Sequence, residues 1–152
     1  MKILLAMAGD KIMLPVDHIA TDQFDFKAMT GGKPMATSGV DIADNLMGMD
    51  IGPETIQAFG DVIAKAGTIV WNGPMGVFEA RDFAAGTKAI AEALAKATDK
   101  GAVSVIGGGD SATAVEEMGV ENRMTHVSTG GGASLEYLEG KAMPPIEVLD
   151  KK

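Results

Sequence analysis

A chain of 152 residues, 46% apolar and 22% charged, has the length of one domain and the composition of a folded protein rather than a disordered one. Its net charge of −8 offers no basic face to displace counterions from nucleic acid, and no apolar run approaches the roughly 18 residues of a membrane span. With no cysteine there are no disulfides or zinc thiolates, and Met1 to Met7 lacks the features of a signal peptide, so the expected compartment is the cytoplasm.

Residues 1–9 read as the end of a helix, with Ile3, Leu4, Leu5 and Met7 apolar and Gly9 as its cap. No N-cap or polar first turn precedes that cluster. Lys11 to Val16 reads as a buried strand continuing through His18-Ile19-Ala20, with Pro15 marking an edge, a bulge or a break. Residues 22–52 carry little periodicity: Gly31 to Pro34 is a turn, Met35 to Val40 a short strand, and Asp44 to Gly52 a loop rich in Met and Gly. Pro53 sits where a first helical residue belongs, and Ile56, Phe59, Val62, Ile63 and Ala66 give the helical period up to Gly67. Thr68 to Trp71 is the next strand, followed by the glycine-rich turn Asn72 to Glu79 and a helix from about Arg81 to Thr98.

From Ala102 to Gly140 one device occurs twice: a short apolar strand, a glycine loop, a helix. The first copy is Val103 to Ile106, then Gly107-Gly108-Gly109-Asp110-Ser111, then Ala112 to Met118. The second is Thr125 to Ser128, then Thr129-Gly130-Gly131-Gly132-Ala133-Ser134, then Leu135 to Glu139. A helix opens with backbone N–H groups that lack partners, and its dipole makes that end positive. Glycines there remove the side chains that would hold a ligand away, so the device suits an anion, most often phosphate. Tight strand-to-helix turns are the plainer reading of the same glycines. Met143 to Ile146 reads as an extended arm, followed by a charged tip. Strands alternating with helices predict a parallel sheet with helices on both faces, a three-layer α/β/α Rossmann-like fold. Its ligand edge is the carboxyl end of the strands, where all three glycine turns should meet.

Gly107-x-Gly109-x-x-Ala112 matches the dinucleotide fingerprint, but the next strand ends in Ser128-Thr129 without the ribose-binding acid, which counts against an NAD-dependent dehydrogenase. Asp110 among glycines would repel a phosphate unless a metal lay between, and Mg²⁺ accepts one or two carboxylates with phosphate oxygens. An N-cap is the plainer role for Asp110, and Ser111 and Thr129 could cap or donate to phosphate. Glu79 reads either as an acceptor for ribose hydroxyls or as an early-helix acid. His126 and His18, among apolar neighbours, read as packed histidines, and the eleven methionines as core filler.

Trp71-Asn72-Gly73-Pro74-Met75-Gly76-Val77-Phe78-Glu79, Gly107 to Ser111 and His126 to Glu136 resemble the nucleotide-domain motifs of phosphoglycerate kinases, as do Leu14-Pro15-Val16-Asp17 and Met49 to Pro53. The resemblance covers nearly the whole chain in the family's order, but only the last part of such a kinase. It implies a glycolytic phosphotransferase segment that binds Mg²⁺ with ADP or ATP, transferring phosphoryl between 1,3-bisphosphoglycerate and ADP, and a fold incomplete relative to the full kinase domain. It further implies that Asn72, Gly73, Pro74 and Val77 line the nucleotide and that Glu79 takes the ribose. Asp110 would hold Mg²⁺, and Ser111 with its helix start, beside Gly108 and Gly109, would hold the phosphates. Gly131 and Gly132, following Thr129 and Gly130, would offer N–H groups to the transferring phosphoryl. The expected organisation is a single partial domain over 1–152, with 141–152 as an arm. The apolar start fits a truncation, and nothing resembles the amino-terminal substrate domain. The isolated chain is therefore expected to have little or no kinase activity, and to meet 3-phosphoglycerate only if completed. A rival reading is an assembly module whose open sheet edge pairs with a second copy.

Overall fold

The computed structural model describes residues 2–149; Met1 and the charged tip at 150–152 lie outside the described residues. The chain forms two compact units: one comprises the chain up to Phe59 with Met75–Gly86, the other Gly60–Pro74 with the chain from Thr87 onwards.

The first unit begins with α1 (Lys2–Ala8) and a 3-10 turn over Gly9–Lys11. An antiparallel sheet follows, in the order β2 (Met35–Ala36), β1 (His18–Thr21), β3 (Met47–Ile51), with a register shift between Ile19 and Ala20. Alternation of strands and helices did not anticipate this sheet. The stretch read as a buried strand before it is irregular: Ile12, Met13, Leu14 and Val16 are all exposed. Pro15 removes a ladder donor there, and an apolar run alone does not supply a pairing partner. Conversely β3 lies within Asp44 to Gly52, read as a loop for its Met and Gly content, and is a strand with Met49, Asp50 and Ile51 buried. Met49, Ala80 and Phe83 form the core here, and the Phe24 ring meets Phe83 edge-on at 5.6 Å.

Two buried aspartates seal this unit's helix starts. α2 (Pro53–Ile63) opens on Asp17, whose carboxylate accepts the Glu54 N–H at 2.9 Å and the Thr55 N–H and hydroxyl at 2.7 and 2.6 Å. Burial pushes that carboxyl up, but these donors outweigh it and hold Asp17 below the usual carboxylate range. α3 (Ala85–Asp99) opens on Asp50, which accepts the Gly86 N–H at 2.6 Å. Burial dominates at Asp50 and pushes its carboxyl above the usual range, against the pull of the Gly86 and Ile51 amides.

The second unit carries the expected parallel sheet, in the order β4 (Thr68–Asn72), β5 (Val103–Gly107), β6 (His126–Ser128), flanked by helices. Its core holds Ile90, Leu94, Ile106, Val115 and the single tryptophan, Trp71, whose indole N–H is buried with no acceptor in reach. Away from the glycine turns the sheet is tied by hydroxyls: Thr98 donates to Ser104 Oγ at 2.8 Å, and Ser104 N–H donates to Thr125 Oγ1 at 3.1 Å. α4 (Gly109–Glu117) and α5 (Gly131–Leu138) start three to four residues earlier than expected, because the glycines themselves form their first turns. α6 (Pro144–Glu147) is a short helix where an extended arm was expected; its proline sits at the first helical position, where no N–H is needed. His126, expected to pack, is exposed on β6.

Candidate anion site

The parallel register sets Asn72 beside Gly107 and Gly107 beside Ser128, so the three strands end in one row. Gly73-Pro74, Gly108 to Ser111 and Thr129 to Gly132 all leave from that row. The expectation that these turns share the carboxyl edge is met for residues 72–74, 107–111 and 128–132.

Two glycines make the row possible. Gly108 has φ +95°, and a Cβ on it would stand 2.8 Å from Asn72 Oδ1. A Cβ on Gly131 would meet Gly108 Cα at 2.9 Å, so the two loops touch backbone to backbone. The Gly108 N–H donates to the Ser128 carbonyl at 3.0 Å, which locks them together. By contrast, a Cβ on Gly109 or Gly132 would meet nothing within 4 Å. Those two positions face open space on the first turns of α4 and α5.

Neither helix start carries a side-chain cap, and Gly108 and Gly130 are the N-cap residues. The plainer of the two readings of Asp110, an N-cap, does not hold; it lies exposed in the first turn of α4. Ser111 is buried, and its Oγ accepts the Gly73 N–H at 2.7 Å, which ties the turn after β4 to α4. Ser128 Oγ accepts the Gly130 N–H at 3.1 Å, the Thr129 carbonyl accepts the Gly131 N–H at 3.1 Å, and Ser134 Oγ donates to the Gly130 carbonyl at 2.7 Å. The remaining first-turn amides are those a helix cannot satisfy internally. Among the described residues no three His, Cys, Asp or Glu side chains group as a metal site.

Val77 and Glu79 belong to the first unit. Val77 packs on the Met49–Ala80–Phe83 core, and its N–H donates to the Met49 carbonyl at 2.9 Å. Glu79 is exposed and precedes a 3-10 turn at Arg81–Phe83; α3 begins only at Ala85, so Glu79 does not complement that helix dipole. Sequence reasoning gave no role to Asp17, Asp50 or Ser128. Asp17 and Thr55 are 38 residues apart, and no local signal announces such a cap.

Comparison with known proteins gives a consistent picture. A sequence profile described as Phosphoglycerate kinase matches residues 1–141. The chain is 53% identical over 151 residues to a phosphoglycerate kinase of Leuconostoc citreum, covering 99% of this chain and 36% of that protein. It is 56% identical over 149 residues to one from Mycobacterium avium, covering 97% and 35%. The solved phosphoglycerate kinase of Coxiella burnetii superposes with a TM-score of 0.84 at 40% identity, over 96% of this chain and 37% of that one. The chain thus spans little more than a third of the relatives it matches. Among the described residues no helix is long and apolar enough to cross a membrane.

Proposed function

The chain belongs to the phosphoglycerate kinase family, and from that premise we propose that its second unit binds the magnesium complex of ADP or ATP at the starts of α4 and α5. The observation that carries this reading is the row Asn72–Gly107–Ser128, from which two glycine-begun helices leave with no side chain of the protein on their first amides. Such starts hold phosphate by N–H donation and dipole. The exposed Asp110 carboxylate fits Mg²⁺, which takes one or two carboxylates together with phosphate oxygens and water. That ion would neutralise phosphate charge when bound. Ser111 keeps the turn at Gly73 and Pro74 against α4, and so fixes the wall beside the phosphates.

The whole-protein activity proposed is phosphoryl transfer between 1,3-bisphosphoglycerate and ADP, as part of glycolysis in the cytoplasm. In that reaction the Gly132 amide would face the transferring group, and Gly131, whose N–H donates to the Thr129 carbonyl, would have to exchange that acceptor to join it; such transfer needs positioning and charge stabilisation more than covalent help. For Val77 as a nucleotide contact and Glu79 as a ribose acceptor, the support is the family resemblance alone. The 152-residue chain alone is expected to have little or no kinase activity, because it spans about a third of its relatives' length.

Calorimetric titration tests the reading. MgADP should bind the chain, and Asp110→Ala should remove the Mg²⁺ dependence of that binding. NADH binding in preference to MgADP, or an Asp110→Ala protein with unchanged Mg²⁺ dependence, would overturn it. A coupled assay for ATP formation that ran as fast as an intact kinase would refute the inactivity.

A further inference from the structure

The chain holds three asparagines, Asn45, Asn72 and Asn122, and only Asn72 is followed by glycine. Asparagine before glycine is where a backbone amide most readily attacks the preceding side chain, because nothing on the second residue shields the nitrogen. Asn72 is exposed and is the last residue of β4, and the chain turns away from it at Gly73 with φ +110°. There is room for a ring to close, since a Cβ on Gly73 would meet nothing within 4 Å. The Gly73 N–H donates to a side chain, Ser111 Oγ, at 2.7 Å. Ser111 is buried and belongs to the first turn of α4. One hydroxyl therefore holds the nitrogen that would attack.

We propose that Asn72 is a site of spontaneous deamidation through Gly73, and that the Ser111 hydroxyl sets its rate. The Gly73 N–H gives its proton to solvent base, and the nitrogen attacks Asn72 Cγ. A C–N bond forms, the Cγ–Nδ2 bond breaks, and ammonia leaves a five-membered succinimide. Water then opens that ring at one carbonyl or the other, giving aspartate or isoaspartate at position 72. The net change is one water taken up, one ammonia released and one negative charge gained. By accepting the N–H, Ser111 favours the protonated amide over the attacking anion and fixes the nitrogen in place.

The new charge falls on the row. Asn72 Oδ1 lies 2.8 Å from where a Gly108 Cβ would stand and 3.1 Å from where a Gly131 Cβ would stand. A carboxylate there lies against both glycine loops, and helix starts favour negative charge, as Asp17 shows at α2. Deamidation thus supplies the row with an anion of the protein's own, in competition with the proposed phosphate. The reaction itself does not depend on that proposal, and its test contains no nucleotide.

The test keeps the folded 152-residue chain in mildly alkaline buffer and follows its tryptic peptides by mass spectrometry over time. The peptide 66–81, in which Asn72 is the only amide side chain, should gain one mass unit faster than the peptides bearing Asn45 and Asn122. Ser111→Ala should speed that gain at least tenfold while still unfolding cooperatively in urea. Ser111→Thr, which keeps a hydroxyl, should return the slower rate. Equal rates at the three asparagines, or a Ser111→Ala rate no higher than the parent's, would overturn the proposal. Should Ser111→Ala not fold, the parent decides: below its urea transition, deamidation at Asn72 should rise in step with hydrogen exchange of the Gly73 amide. A rate indifferent to that exchange would overturn the proposal as well.

Discussion

The helix starts of the two units solve one electrostatic problem in opposite ways. In the first unit the chain fills its own anion sites: Asp17 occupies the start of α2 and Asp50 the start of α3. In the second unit α4 and α5 open on glycine and no side chain caps them. The difference teaches that an uncapped helix start is a cost the first unit avoids and the second carries, and the proposed phosphate would offset it. Within the second unit the contrast continues, since α4 buries Ser111, Ala114 and Val115 and is rooted in the core, whereas α5 buries no residue.

The sharpest way to break this comparison is at the contact between the loops. Gly108→Ala must hold a side chain at φ +95° with its Cβ 2.8 Å from Asn72 Oδ1. It should cost about 3 kcal/mol in urea denaturation, and MgADP binding should go with it. Next comes the rooting of α4: Val115→Ala empties a fully buried site and should cost about 2 kcal/mol, whereas Leu138→Ala on α5 should change stability by less than about 0.5 kcal/mol. Equal losses would dissolve the distinction between the two helices.

Removing a filled cap should cost a similar amount to the α4 cavity. Asp17→Ala leaves the Glu54 and Thr55 amides without their acceptor and should cost about 2 kcal/mol at pH 7. The sign follows from linkage. Asp17 is lowered in the fold, so its contribution is complete above the unfolded carboxylate value of about 3.9 and is lost as pH falls through the lower folded value. Asp50 is raised, so the fold prefers it protonated, and stability falls as pH rises from the unfolded value through the higher folded one. Asp17→Asn should therefore flatten the acid limb of a stability–pH curve, and Asp50→Asn should remove the opposing limb above it.

The smallest effect is the most diagnostic. Gly109→Ala and Gly132→Ala place a methyl group in open space on a first helical turn. They should leave stability unchanged or raise it by about 0.5–1 kcal/mol while weakening MgADP binding. If affinity is untouched, those open positions do not face the ligand.

The legible part of the fold is the part whose signals are local. Strands β4, β5 and β6 are short apolar runs ended by glycine turns, and their parallel order follows from the helices between them. The row at their ends follows in turn. What was not legible depends on distant partners. Met47 to Ile51 holds a glycine and an aspartate that sequence rules keep out of strands; Asp50 is tolerated because the start of α3, 36 residues away, receives it. Lys11 to Val16 has the right composition for a strand and no neighbour to pair with. His126 was read as packed among apolar residues, but it stands between Thr125 and Val127 at the start of β6, the last strand of its sheet, and is exposed. At the site, Asp110 was recognised as chemically unusual, but glycine took the capping position in its place. Ser111 was read as a phosphate donor; its burial and the Gly73 N–H it accepts give it a positioning role as well.

Trp71 is the only indole in the chain and is sealed one residue before the row. Its emission should be blue-shifted and poorly quenched by iodide in the folded state. A rearrangement at the ends of β4 and β5 should alter that emission, so the chain carries its own optical gauge, readable without a label.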